Sequence, residues 1–106
     1  MKKVLLLTLT LFATACASTI QSASVSEAYK RFELQDFERT LELISRAENI
    51  RETNPEMKAE LTYLKAQTYE RLGRQETAKT LYEYLAEEHQ DSQYGYFASE
   101  KLNTKS

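Results

Sequence analysis

Few residues in this chain are equipped for chemistry. Cys16 is the only cysteine and His89 the only histidine. A thiolate can attack, ligate a metal or form a disulfide, and an imidazole can move a proton. Neither has a second residue of its kind, so an internal disulfide is excluded and no Cys/His metal centre can be assembled. His89 follows Glu87 and Glu88 near the end of a charged stretch. A helix C-terminus favours a cation, so the imidazole reads as an exposed side chain with no catalytic task. The serines and threonines lie in no nucleophile motif, and there is no glycine-rich phosphate loop. The expectation is a protein that is not an enzyme and holds no cofactor or metal. Glu38, Glu42 and Arg46 stand at i,i+4 spacing, which supports a helix by about 0.3 kcal/mol per favourable pair.

The elements that carry these residues are bounded by composition. The 106 residues are enough for one domain with a modest core. Two glycines and one proline leave little room for the tight turns of a β protein. The net charge is −2, and Lys2 and Lys3 lie in the leader, so the remainder is more acidic still. Nucleic-acid affinity is built on neutralising phosphates, so a nucleic-acid partner is not expected.

Met1-Lys2-Lys3 is a short basic start, and Val4 to Ala15 is apolar apart from threonines and closes on small residues. This three-part pattern is that of a secretory signal peptide. The apolar run is far below the roughly 20 residues needed to span a bilayer. Residues 1–15 are therefore expected to be a cleaved signal peptide. Ala13-Thr14-Ala15 is an A-x-A site in its own right, and the next residue is Cys16. The segment Ala13-Thr14-Ala15-Cys16 resembles a bacterial lipobox, with Ala13 where Leu is usual. That resemblance implies a diacylglycerol thioether on Cys16, cleavage before it, and acylation such as palmitate at the new N-terminus. Several acyl chains would then anchor the protein, since one alone binds only marginally. Ala17 follows the cysteine in place of Asp, which in bacteria with two membranes resembles the pattern sent to the outer membrane. The expected location is an outer-membrane lipoprotein facing the periplasm; a soluble periplasmic or secreted protein is the alternative. Residues 16–23 are small and polar and read as a flexible tether.

From Val25 the apolar residues recur at offsets of three and four, the signature of helices with one buried stripe. The spacing predicts helices over 24–34, 37–51, 56–72, 75–89 and 93–103, in a helical domain over 24–106. Asn54 is suited to cap the third helix with Pro55 at its first position, and Gly73 to end it. Asp91-Ser92 reads as a turn. Short loops make each neighbouring pair antiparallel.

The third and fourth helices resemble a tetratricopeptide repeat (TPR), a helix–turn–helix unit. The residues that carry this are Ala66, Tyr69, Leu72-Gly73, Ala78 and Tyr82. Thr62 and Lys65 stand where the family has Trp and Leu, and its closing Pro is absent. The first pair resembles the repeat through Ala28, the Gln35-Asp36-Phe37 turn, Thr40 and Ile44, at an offset of 38 from the second. The segment from Asp91 to Leu102 resembles the start of a third repeat and would cap the array. The implied fold is all-α, made of antiparallel TPR-like hairpins: about two repeats plus a C-terminal capping helix.

In the resembling family one face of each first helix lines a groove that holds a peptide. Mapping through Ala28 and Ala66 places Val25, Tyr29, Phe32 and Glu33 on that face, then Tyr63, Gln67, Glu70 and Arg71. Tyrosine combines an apolar ring with a hydroxyl and suits interfaces. The implied function is a lipid-anchored interaction module, an adaptor or scaffold binding a protein or peptide partner within an envelope, secretion or pilus assembly machine. Two alternatives stand beside it. One is a homo-oligomeric structural subunit that buries Tyr94, Tyr96 and Phe97 between copies. The other is an accessory regulator of a cell-wall or proteolytic enzyme.

Overall fold

The computed structural model describes residues 21–50 and 53–104. The leader, Cys16 and residues 16–20 of the expected tether lie outside the described residues. Helix α1 covers 21–33. It is followed by α2 (Phe37–Glu48), α3 (Pro55–Arg71), α4 (Gln75–Glu88) and α5 (Gln93–Thr104). The fold is all-helical, and no strand occurs among the described residues.

The helix ends follow from local chemistry. The Asn54 side chain accepts the Met57 backbone N–H at 2.7 Å, and Pro55 occupies the first turn, where a missing N–H costs nothing. Asp36 accepts the Arg39 N–H in the same way at the start of α2. Gly73, at φ +82°, closes α3 in the left-handed region that only glycine enters freely.

The two hairpin turns repeat each other bond for bond. After α1, Leu34, Gln35 and Asp36 donate their N–H groups to the carbonyls of Lys30, Phe32 and Arg31 at 3.1, 3.0 and 2.9 Å. After α3, Leu72, Gly73 and Arg74 donate to Thr68, Glu70 and Tyr69 at 3.0, 3.0 and 2.8 Å. Every partner lies 38 positions further along. Gln35 takes the left-handed conformation of Gly73, with φ 64°, which costs a side-chain-bearing residue about 1 kcal/mol. Burial repeats in the same register. Ala28 and Ala66 are buried, as are Thr40 and Ala78, and Ile44 and Tyr82.

Two apolar clusters share α3. One joins Val25 and Ala28 of α1 and Leu43, Ile44 and Ala47 of α2 to Leu61 and Leu64. The other joins Ala59 and Ala66 to Ala78, Tyr82 and Leu85 of α4 and Ala98 of α5. Burying a side chain such as Leu61 stabilises the fold by about 2 kcal/mol, and α3 does so on both faces. The result is two layers. Helices α1, α3 and α5 lie side by side, while α2 and α4 pack behind them. The buried threonines bond to their own helices, Thr68 to the Leu64 carbonyl at 2.7 Å and Thr40 to that of Asp36 at 2.8 Å. No buried side-chain polar atom among the described residues lacks a partner.

Three expectations are corrected. Residues 21–23, assigned to the tether, are helical. The Gln21 amide donates to Thr53 Oγ1 at 2.7 Å, which ties this end of α1 to the α2–α3 loop. Helix α2 stops at Glu48 instead of 51, with Asn49 as its cap. Glu42 pairs with Arg39 at 2.7 Å, its neighbour at i,i+3, in place of Arg46.

Candidate functional site

The face made by α1, α3 and α5 carries a strip of aromatic rings threaded with carboxylates. Tyr29 of α1 donates its hydroxyl to Glu60 Oε1 of α3 at 2.8 Å. One turn along α3, Tyr63 is the hub of the strip. Its ring lies 5.8 Å from that of Tyr82, 5.8 Å from Tyr94 and 5.9 Å from Phe97, all in tilted geometries. Such pairs each add about 1 kcal/mol beyond their burial. Tyr63 and Phe97 also floor a shallow pocket of about 340 Å³, edged by Glu100, Lys101 and Thr104. Tyr29 and Phe97 remain 37% and 39% exposed, so the strip is a surface and not an interior.

Behind the strip lies a polar joint. The buried Tyr82 hydroxyl donates to the Glu70 carboxylate. Lys101 of α5 pairs with the same carboxylate at 3.6 Å. Glu70 thus connects α3 to both helices of the second cluster.

The hydroxyls of this region are held protonated. Burial pushes the Tyr82 and Tyr29 phenols well above their usual value, helped by donation to Glu70 and Glu60 respectively. Tyr63 and Tyr94 are raised chiefly by burial, and secondarily by the charges of Glu70 on the one and of Glu60 and Glu56 on the other.

The eight residues assigned to a groove divide into groups. Tyr29 meets α3 at Glu60, one turn before Tyr63; Gln67 of α3 is half-buried and Glu33 of α1 exposed. Val25 is not on the face. It is 9% exposed and belongs to the first cluster, because an apolar side chain at this register gains more from Leu61 and Leu64 than from water. Phe32 packs edge-on against Phe37 at 5.6 Å, and the Arg71 guanidinium covers both rings at 5.5 and 5.7 Å. This pair locks the α1–α2 turn to α3. Glu70 is engaged as described. Mapping the first two helix pairs did not reach Glu60, Tyr94 and Phe97. The spacing placed the two rings on α5, where they were assigned to contact between copies instead of to this face.

Tyr94, Tyr96 and Phe97 are linked through Phe97, whose ring lies 6.1 Å from each of the other two. Tyr94 and Phe97 turn toward Tyr63, and Tyr96 is the most open at 62%. His89 is half-buried, with its ring edge-on to Tyr84 at 5.5 Å, and its carbonyl accepts the Ser92 N–H at 3.0 Å in the α4–α5 turn. Among the described residues, no three His, Cys, Asp or Glu side chains gather to hold a metal. No described helix is long and apolar enough to cross a membrane.

Comparison with protein-family models, with curated proteins and with solved structures yields no match to this chain.

Proposed function

We propose that this chain is a lipid-anchored protein–protein interaction module of the bacterial cell envelope, built on TPR-like hairpins. The observation that carries the binding half is the strip of Tyr29, Tyr63 and Phe97. It is assembled from three helices and left partly open to solvent. A helix pair needs only Ala, Leu and Ile to pack, so rings kept at a surface with carboxylates between them suit contact with a second molecule. The register of 38 in the turns and in burial supports the repeat reading. A repeat array presents one face of alternate helices, and here α1, α3 and α5 do so. The anchoring half rests on the sequence. Ala13-Thr14-Ala15-Cys16 after an apolar leader resembles a lipobox, and Ala17 resembles the outer-membrane pattern. The adaptor role within an envelope, secretion or pilus assembly machine is an analogy drawn from the fold.

The anchor is tested by intact mass and fractionation of the protein made in a bacterium with two membranes. Wild type is expected in the membrane fraction, with the mass of a chain starting at Cys16 plus acyl groups. Cys16→Ser is expected to lose the acyl mass and leave the membrane. An unmodified wild-type chain in the soluble fraction would remove the anchor from this reading.

A further inference from the structure

We propose that the α1–α3–α5 face takes a polypeptide segment bearing lysine or arginine, whose cations sit against the tyrosine and phenylalanine rings and among the glutamates between them. The inference rests on the reading of the chain as a binding module and adds the chemistry of its partner. Two features of the face are independent of each other. The rings of Tyr63, Tyr94 and Phe97 pack on one another, Tyr29 reaches the same face through its hydroxyl on Glu60, and their π faces attract a cation placed over them. Three carboxylates are threaded through the strip, with Lys101 the cation at the edge of its pocket. Glu60 accepts from Tyr29, Glu56 stands one turn before it on α3, and Glu100 edges the pocket over Tyr63 and Phe97. None of these three has a cationic partner among the described residues.

Two cations beside the strip are already engaged. Lys101 pairs with Glu70, and Arg71 is stacked on Phe32 and Phe37. An acidic segment would therefore be repelled by the carboxylates of Glu56, Glu60 and Glu100. A neutral apolar helix would bury Glu56, Glu60 and Glu100 without compensation, which is costly. A basic segment satisfies both features at once, since its aliphatic stems lie on the rings and its charged heads meet the carboxylates.

The test uses the Cys16→Ser protein, purified after export and free of detergent. It is titrated into three fluorescein-labelled peptides of equal length, of alternating Lys–Ala, Ser–Ala and Glu–Ala, and followed by anisotropy. The Lys–Ala peptide is expected to bind at least about tenfold more tightly than either other, with a preference that shrinks as salt is raised. The double variant Glu56→Gln/Glu60→Gln should erase the preference. Glu83→Gln/Glu87→Gln on the exposed side of α4 should leave it intact. Equal binding of the Ser–Ala peptide, weakened by Phe97→Ala, would overturn the basic partner while leaving the binding module standing. A dimer that excludes all three peptides and dissociates in Phe97→Ala would assign the face to a second copy and overturn it too. Absence of any binding, with no dimer and no effect of Phe97→Ala, would overturn both the basic partner and the module.

Discussion

Gly95→Ala is expected to cost about 3 kcal/mol or more and to lower the melting temperature by at least ~10 °C. The reason is a close approach between backbones. A Cβ built on Gly95 would lie 2.0 Å from the His89 carbonyl oxygen, 2.8 Å from its carbon and 3.0 Å from the Leu85 carbonyl oxygen. Those atoms close the end of α4, where Leu85 O accepts the His89 N–H and His89 O accepts that of Ser92, both at 3.0 Å. Neither carbonyl can yield without breaking a bond of the turn, so α5 must move away. It carries Ala98, which is fully buried, and Tyr94 and Leu102, which pack on the second cluster. The sign is informative, because in an open helix the same change would gain about 1 kcal/mol of helix propensity. Gly73→Ala supplies the contrast. Nothing lies within 4 Å of its Cβ position, so only the strain of φ +82° opposes it, at about 1 kcal/mol. Thermal unfolding followed by circular dichroism checks both. A Gly95→Ala protein as stable as wild type would mean that α5 does not approach α4 as described.

The second large effect is loss of the fold at alkaline pH. Tyr29, Tyr63, Tyr82 and Tyr94 all have phenols raised above the ordinary value of 10.0. A group that holds its proton more tightly when folded contributes stability that is complete below its unfolded value and is lost as pH rises above it. Stability should therefore be unchanged by these groups up to about pH 9 and fall above pH 10.0, the unfolded value. Tyr82 dominates because it is 2% exposed and its phenolate would face the Glu70 carboxylate. It removes about 1.4 kcal/mol per pH unit over that range; Tyr29 and Tyr94, partly open to solvent, contribute less. Tyrosinate absorbance and helical circular dichroism, recorded together, should show part of the seven tyrosines ionising only as the helices melt. Tyr82→Phe keeps the ring and should move alkaline unfolding to higher pH. Ionisation of all seven in one step with the helices intact would contradict this.

The helices were legible because their ends are written locally. Asn54-Pro55 and Gly73 act through their own backbone neighbours, and both ends of α3 fall within one residue of the spacing-based expectation. The buried positions Ala28, Ala66, Thr40, Ala78, Ile44 and Tyr82 were legible through the repeat register. What escaped was tertiary. Gln21, the first described residue of α1, is held on Thr53, a bond over 32 positions that the polar composition of 16–23 does not announce. Gly95 breaks no periodicity, and its contact lies in another helix. The face was half legible. Tyr29 and Tyr63 follow from the mapping, whereas Val25 shares Tyr63's register and is drawn into the core by its apolar side chain. Glu60 carries no signal of its own until Tyr29 is placed across from it.

The central claim is that the α1–α3–α5 face meets a protein partner in the envelope. A photo-cross-linking amino acid placed in the cell at Phe97, and separately at Tyr84, tests it most directly. Both positions are partly exposed, at 39% and 47%, but the Tyr84 ring packs on His89 where that of Phe97 packs on Tyr63. The expected result is a discrete heavier adduct in the membrane fraction from position 97 and none from position 84. Adducts from position 84 alone, or from neither position, would contradict the claim.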